Sequence, residues 1–319
     1  MTTRPLNLSE DFAPVSYEQW FEVVQKDLDG APFEKKLQTK TYEGITLSPL
    51  YTQKDWDAQG DPSGFPGLPL FTRGSAALGA AKGGWDICQE HAYPCPKQTN
   101  KEILTELERG VSSILLSLDR AAQAGLDSDA PGAAGLAGAD GVMISSLDDL
   151  TQALQGVYFN CAGVVLEPGA QFVASAALLA QVWQRSGVAA DEVTGSFGAD
   201  PLGTLAREGA LPFSLEMALK QMAGLALWTS KHFPKVAAVT VDTAPYHDAG
   251  ATSTQDLACA LATGVAYLKA MTQAGMDIDT ACSQIRFSFS LGCSFFPAIA
   301  KLRAARQLWA RVAEACGAS

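Results

Sequence analysis

Short apolar segments alternate along residues 99–316 with longer segments in which apolar residues recur every three or four positions. The first pattern is typical of buried strands and the second of amphipathic helices. Strands are predicted at residues 113–118, 142–145, 163–166, 192–197, 236–241 and 285–291. Helices are predicted at residues 147–154, 172–186, 201–208, 214–232, 254–275 and 296–316, and the Ala- and Gly-rich residues 121–141 are predicted to form a loop.

The alternation of strands and helices predicts a parallel sheet with right-handed crossovers. The fold class is therefore α/β, of the (β/α)8 TIM-barrel type. A closed barrel of this type has eight strands, whereas the pattern predicts six. Because an open sheet leaves its edges unpaired, we expect a barrel truncated after about six strand–helix units. A fragment of a longer protein explains this better than a barrel that another chain completes.

The last predicted strand carries two kinds of side chain on its two faces. Ser288 and Ser290 share one face at a period of two, and Phe287, Phe289 and Leu291 share the other. Small barrels usually fill the interior with branched apolar side chains. Hydroxyl groups on the inner face therefore favour a lumen that admits a thin, polar ligand.

The sequence pattern of residues 1–70 differs from that of the rest of the chain and predicts an N-terminal arm. The partial barrel is predicted over residues 71–319. Ser16 begins a capping-box pattern, and apolar residues from Trp20 onward follow at helical spacing. An extended segment at residues 42–51 comes later. The arm has too few apolar residues for a core of its own. Contact with another subunit and packing against its own barrel are equally compatible with this pattern.

Composition excludes several classes of partner. The chain has 319 residues and a formal net charge of −11, so neither nucleic acid nor an anionic membrane is expected to bind it. No apolar signal segment or membrane-length run is present. The seven cysteines are scattered without a CxxC pair, which indicates reduced thiols in a cytoplasmic protein.

Four carboxylates stand at the ends of predicted strands, where the active face of a parallel barrel lies. They are Asp119, Glu167, Asp200 and Asp242. Together they could hold a divalent metal ion in a metal-dependent barrel enzyme. Each could instead cap the helix that follows its strand, and we favour caps because strand–helix loops commonly place an acceptor there. No metal site is therefore assigned.

Only three histidines are available for acid–base chemistry. His91 lies in a Pro-rich segment near the arm, and His232 ends a predicted helix, where a cation suits the helix dipole. His247 follows the fifth predicted strand and is the only one placed for catalysis, although no partner nucleophile stands at a recognisable spacing from it. No nucleophile elbow, P-loop or dinucleotide motif follows a strand. The residues alone thus define no reaction.

Several ordered motifs resemble one family. They are residues 29–37 (DGAPFEKKL), 41–45 (TYEGI), 71–74 (FTRG), 273–279 (QAGMDID) and 299–309 (IAKLRAARQLW). Together they resemble the adenosylcobalamin-dependent acyl-CoA mutases, the methylmalonyl-CoA mutase family. The resemblance implies an isomerase that converts methylmalonyl-CoA to succinyl-CoA, in a barrel that threads the pantetheine arm of CoA. It also implies contacts with CoA for Thr72, Arg73, Ser288 and Ser290.

The chain departs from the catalytic members at four positions. Ala76 replaces a tyrosine, Gly198 a glutamine, and Glu208 a substrate-binding arginine, with Arg207 beside it. Laid without gaps, Pro245 replaces the catalytic histidine, and a gapped alignment would restore His247 there. The resemblance is therefore greatest to the non-catalytic small (β) subunit, which pairs with a catalytic large (α) subunit. The run GADPLG at residues 198–203 is also typical of that subunit.

The cofactor expectation follows from the same resemblance. The holoenzyme would use adenosylcobalamin, but the motif Asp-x-His-x-x-Gly and the cobalamin-binding domain are absent from this chain. No cobalamin contact is therefore assigned to it. An alternative is an active mutase barrel that uses His247 and a separate cobalamin subunit. The metal-dependent enzyme is the second alternative.

Overall fold

The computed structural model describes residues 14–55, 64–81 and 84–319. The chain forms two units, Met1–Ser63 and Gly64–Ser319. The first contains helices α1 (Tyr17–Asp27) and α2 (Phe33–Leu37) and the antiparallel pair β1 (Thr39–Lys40) and β2 (Thr46–Leu47). The capping box at the start of α1 is confirmed, since Ser16 Oγ accepts from Gln19 N at 3.2 Å and Ser16 N donates to Gln19 Oε1 at 2.9 Å.

The second unit contains one parallel sheet of six strands. In chain order these are β3 (Cys88–His91), β4 (Ser113–Ser117), β5 (Gly163–Glu167), β6 (Gly195–Ala199), β7 (Val236–Asp242) and β8 (Ile285–Ser288). Each strand lies beside its neighbour in the chain, and every pairing is parallel. This order and the helices between the strands confirm the predicted α/β fold of TIM-barrel type.

Ten helices accompany the sheet in the described part of this unit. They are α3 (Pro96–Glu108), α4 (Arg120–Ala124), α5 (Leu147–Ala153), α6 (Phe172–Ser186), α7 (Pro201–Glu208), α8 (Leu215–His232), α9 (Ala244–Asp248), α10 (Ser253–Gln273), α11 (Ile278–Ser283) and α12 (Phe295–Ala315). Within the described residues, no helix combines the length and apolar character that crossing a bilayer requires.

The structure differs from the strand and loop predictions at four places. Residues 142–145 form no strand, and only Val142 makes an isolated bridge to Leu118. The polar segment Cys88–His91 is a strand that the hydrophobic pattern missed. Strand β8 ends at Ser288, three residues earlier than predicted. The predicted loop at residues 121–141 overlaps the short helix α4, because Asp119 caps that helix.

The two faces of the strands have different surroundings. Apolar side chains on the helix-facing side are fully or almost fully buried, among them Ile114, Leu116, Val164 and Val239. The opposite side faces a cavity, and both the first strand (Cys88) and the last strand (Arg286) contribute to its lining. The sheet is therefore curved, with its inner face around the cavity and its core between sheet and helices.

Candidate functional site

The cavity inside the curved sheet has a volume of about 390 Å³ and reaches the carboxyl ends of the strands. Four carboxyl groups and two guanidinium groups line it, from Glu90, Glu167, Asp200, Asp242, Arg207 and Arg286. Hydroxyl groups of Thr204, Thr240, Ser288 and Ser290 also contribute. The described residues that line this cavity include no histidine and no tyrosine.

Arg207 is held between two carboxylates. Its Nη1 lies 2.8 Å from Glu167 Oε1, and its Nη2 lies 2.6 Å from Asp242 Oδ2. Burial alone would lower the pKa of Arg207, but the hydrogen bond and charge of Glu167 and the charge of Asp242 raise it above its ordinary value. Burial raises the pKa of Asp242, and the Ala244 N–H and Arg207 oppose that change. The Arg207 guanidinium group is therefore already neutralised by carboxylates of the chain itself.

Asp200 also lines the cavity and is buried. Its Oδ1 accepts from Gly203 N at 3.0 Å, which caps α7, and from the hydroxyl group of Tyr267. Its Oδ2 accepts from Asp242 N at 3.0 Å. Burial raises the pKa of Asp200 to about 6, although all of these donors oppose the increase. The same burial and the nearby carboxylate hold the pKa of Tyr267 well above its ordinary value.

Gly198 stands at an irregularity of the sheet, because the pairing of β6 with β7 shifts register between Ser196 and Ala199. Its φ is +70°, and a Cβ there would lie 2.0 Å from Leu166 O. No L-side chain fits this backbone without a shift of the sheet. The catalytic members that the sequence resembles carry a glutamine at this position. The backbone at Gly198 does not accommodate a glutamine side chain.

The four carboxylates considered for a metal ion are engaged otherwise. Asp119 caps α4, accepting from Ala122 N at 2.9 Å and from Gly138 N at 2.6 Å, and it does not line the cavity. Asp200 caps α7, while Glu167 and Asp242 bind Arg207. Among the described residues, no group of three or more His, Cys, Asp or Glu side chains is placed to hold a metal ion. The described residues therefore contain no site for the metal ion that a metal-dependent barrel enzyme would need.

The residues proposed for CoA contact divide into two pairs. Ser288 and Ser290 line the cavity, as the alternation in the last strand predicts. Thr72 and Arg73 are not among its lining residues. Thr72 is buried and its Oγ1 has no hydrogen-bond partner, and Arg73 Nη1 donates to Gly64 O at 3.4 Å. Ala76 is exposed in the turn that follows.

None of the three histidines lies in the cavity. His247 and Pro245 belong to the short helix α9 and do not line it. His91 is buried on β3, and burial lowers the pKa of its imidazole. His232 stacks on Trp228 at a centroid distance of 4.9 Å at the end of α8. The structure therefore gives His247 no partner in a catalytic arrangement at this cavity.

The two arginines that line the cavity, Arg207 and Arg286, were not proposed from the sequence as site residues. Glu208 points to a separate pocket and pairs with Arg120 at 3.2 Å, whereas Arg207 points into the cavity. The ungapped alignment thus selected Glu208, whereas the adjacent residue Arg207 is the one that faces the cavity. Arg207 follows Asp200 by seven positions, two helical turns on the same face, and Arg286 precedes Ser288 by two on one strand face. Either spacing could have identified them.

Comparison with known proteins relates this geometry to a family. Residues 40–319 match the family model described as methylmalonyl-CoA mutase. The chain belongs to the methylmalonyl-CoA mutase family. The family resemblance that the sequence motifs indicate is thus confirmed.

Two small subunits of methylmalonyl-CoA mutase are similar over nearly the whole chain. The one from Streptomyces virginiae is 39% identical over 99% of this chain and 48% of its own length. The one from Propionibacterium freudenreichii subsp. shermanii is 32% identical over 99% of this chain and 47% of its own. The large subunit from Streptomyces virginiae is 28% identical over 93% of this chain and 40% of its own. The chain thus spans about half the length of these relatives.

Proposed function

We propose that this chain is the barrel portion of a small (β) subunit of methylmalonyl-CoA mutase, and that it supports a catalytic large subunit without carrying out the isomerisation itself. The higher identity to two small subunits, 39% and 32%, than to the large subunit, 28%, supports the assignment of subunit type. The observation that carries the non-catalytic role is the pairing of Arg207 with Glu167 and Asp242.

An acyl-CoA with a free carboxylate needs a cation to bind. In this cavity the Arg207 guanidinium already contacts two carboxylates, and two further carboxyl groups, those of Glu90 and Asp200, line the same space. Four acidic and two basic side chains leave a net negative lining. A third carboxylate brought to Arg207 would be repelled by Glu167 and Asp242, so binding of the substrate carboxylate at Arg207 is disfavoured.

Adenosylcobalamin is the cofactor that we propose for the holoenzyme, where it would supply the radical chemistry. None of the three histidines is placed to bind this cofactor at the cavity, since His91 is buried on β3, His232 stacks on Trp228, and His247 lies outside the lining. We assign no cobalamin contact and no reaction step to this part of the chain.

The proposed partner is the large subunit, and the proposed contact surface is the N-terminal arm over residues 1–70. Helix α1 has no buried residue, and large apolar side chains of this arm are exposed, among them Tyr42 at 97%, Val23 at 59% and Ile45 at 58%. Exposed apolar groups of this kind mark interaction surfaces. The net charge of −11 argues against nucleic acid and anionic membranes. All seven cysteines are free, which suits a cytoplasmic complex.

Complex formation with the large subunit of the same organism tests this proposal. We expect the two chains to co-elute as a one-to-one complex by size-exclusion chromatography with light scattering. The double variant Tyr42→Glu/Ile45→Glu should weaken the complex at least about tenfold, because it places charges in an apolar contact. Tyr158 is similarly exposed, at 77%, in the second unit, so Tyr158→Glu is the matched control and should bind normally. Separate elution of the wild-type chains would contradict the proposal.

A further inference from the structure

A second pocket, which we call the outer pocket, lies on the helix-facing side of β8. It has a volume of about 250 Å³, lies between α10, α12 and the end of β8, and shares no lining residue with the cavity. All of its lining side chains are apolar except that of Arg306, on α12. The apolar side chains include Leu257, Leu261, Phe287, Phe289, Leu302 and Trp309.

Two fixed contacts between α10 and α12 bound the outer pocket. At one end, Asp256 of α10 forms its buried ion pair with Lys301 of α12. At the other end, Trp309 of α12 lies against Gly264 of α10, where an added Cβ would lie only 2.8 Å from Trp309 Cζ3. The two contacts are eight positions apart on each helix (256 to 264 and 301 to 309), which is about 12 Å along the axis. Between them Ala305 presents only a methyl group to the pocket. The space is therefore preformed, because both of its ends are fixed.

Aromatic rings form one wall of the outer pocket. The Phe287 ring centroid lies 4.7 Å from that of Trp309, at an interplanar angle of 68°, and 6.0 Å from that of Phe289, at 8°. Lys301 Nζ lies 5.6 Å from the centroid of the Phe289 ring. Ring–ring and cation–ring contacts of this kind fix the orientation of the rings. The wall is thus apolar and rigid, which suits an aliphatic chain.

Arg306 gives the outer pocket its charge. The residue is exposed, and its Nη1 donates to Leu302 O at 3.4 Å. Among the described residues, no carboxylate lies within ion-pair distance of Arg306. The cation at the end of the pocket, Lys301, is already paired with Asp256. A guanidinium group binds a carboxylate through two parallel hydrogen bonds. The outer pocket therefore combines an apolar interior with one cation that is free to bind an acid.

We propose that the outer pocket binds an aliphatic monocarboxylate, a free fatty acid of about eight carbons, to match the distance of about 12 Å between its end contacts. The hydrocarbon chain would lie against Leu257, Leu261 and the aromatic wall, and the carboxylate would accept two hydrogen bonds from Arg306. An alcohol of the same length lacks the charge, and an amine would be repelled by Arg306. The site is separate from the cavity and does not depend on the proposed function.

Isothermal titration calorimetry of the full chain with octanoate, 1-octanol and octylamine tests the ligand class. We expect octanoate to saturate one site and to bind at least about tenfold more tightly than 1-octanol, because its hydrogen bonds to Arg306 are charge-assisted. Octylamine should bind more weakly than 1-octanol. Octanoate that shows no saturable binding, or that binds no more tightly than 1-octanol, would overturn the proposal.

Substitutions at Arg306 test the role of the guanidinium group. Arg306→Gln should weaken octanoate binding about tenfold and leave 1-octanol binding unchanged, because only the charged contact is lost. Arg306→Lys should keep part of the preference for octanoate, since it retains the charge without the planar fork. Arg311 is an exposed arginine of the same helix that does not line the pocket, so Arg311→Gln is the matched control and should bind octanoate normally. Equal affinity of the Arg306→Gln variant and the wild-type chain for octanoate would contradict the proposal.

Leu261→Trp tests the location of the site, because the larger side chain fills the outer pocket. Both octanoate and 1-octanol should lose their binding in this variant, with thermal unfolding of the same samples showing that the chain is folded. Octanoate binding retained by the folded variant would place the ligand elsewhere and overturn the proposal. If the added volume prevents folding, the Arg306 and Arg311 variants decide the proposal by themselves.

Discussion

Replacing Lys301 with methionine is expected to lower the free energy of unfolding by about 3–5 kcal/mol. Lys301 on α12 forms an ion pair with Asp256 on α10, and the two side chains are 4% and 0% exposed. Lys301 Nζ also donates to Ser290 O at 2.8 Å and lies 5.6 Å above the Phe289 ring. The substitution leaves the Asp256 carboxyl group buried without its cation, and Asp256 Oδ1 already has no hydrogen-bond partner.

Two further variants separate this effect from a general loss of packing. In Lys301→Met/Asp256→Leu both charges are removed, and most of the stability should return because no unpaired charge remains. Lys54→Met breaks the exposed pair with Glu18, whose side chains are 78% and 67% exposed, and should not change stability measurably. Urea unfolding followed by circular dichroism gives all three values. A double variant that is as unstable as Lys301→Met would show that lost packing, and not the unpaired carboxyl group, is the cause.

Gly198→Ala is expected to lower the free energy of unfolding by about 3 kcal/mol, from two separate costs. The left-handed backbone, with φ of +70°, costs an L-residue about 1–2 kcal/mol. The added Cβ would also lie 2.0 Å from Leu166 O and 2.9 Å from Pro168 Cδ, and relief of such overlap by backbone movement costs about 1–3 kcal/mol. The substitution therefore disturbs the part of β5 and β6 that lines the cavity.

Gly209→Ala is the matched control for this prediction. Gly209 ends α7 with nearly the same φ, +72°, but an added Cβ there would meet nothing within 4 Å. Only the backbone cost remains, about 1 kcal/mol. The difference in urea unfolding between the two variants thus isolates the close approach to Leu166 O. Equal destabilisation of the two variants would contradict the steric account of Gly198.

Local signals predicted the helices better than the strands. Helices α6 and α7 begin and end at the predicted residues, and α5 and α8 differ by one residue at one end, because caps and apolar spacing lie within each helix. The strand Cys88–His91 has a polar sequence, and its place depends on pairing with β4, which is distant in the chain. Residues 142–144 are apolar, yet β4 already pairs along its length with β3 and β5, so residues 142–145 cannot join the sheet beside it.

The same distinction applies to the candidate site. Alternation within one strand placed Ser288 in the cavity, since it requires only local geometry. The pairing of Arg207 with Glu167 and Asp242 joins three elements that are distant in the chain, and no spacing encodes it. The ungapped alignment placed the missing arginine at Glu208, one position after Arg207. Such an alignment does not take into account which residues of α7 face the cavity.

Turnover of methylmalonyl-CoA is the measurement that tests the central claim most directly. The purified chain is assayed with adenosylcobalamin in three forms: alone, mixed with a separate cobalamin-binding subunit, and mixed with the large subunit of its own organism. We expect succinyl-CoA only in the third mixture, because Arg207 is already paired with Glu167 and Asp242 and no histidine lines the cavity. Turnover in either of the first two forms would contradict the account and make this chain a catalytic mutase barrel.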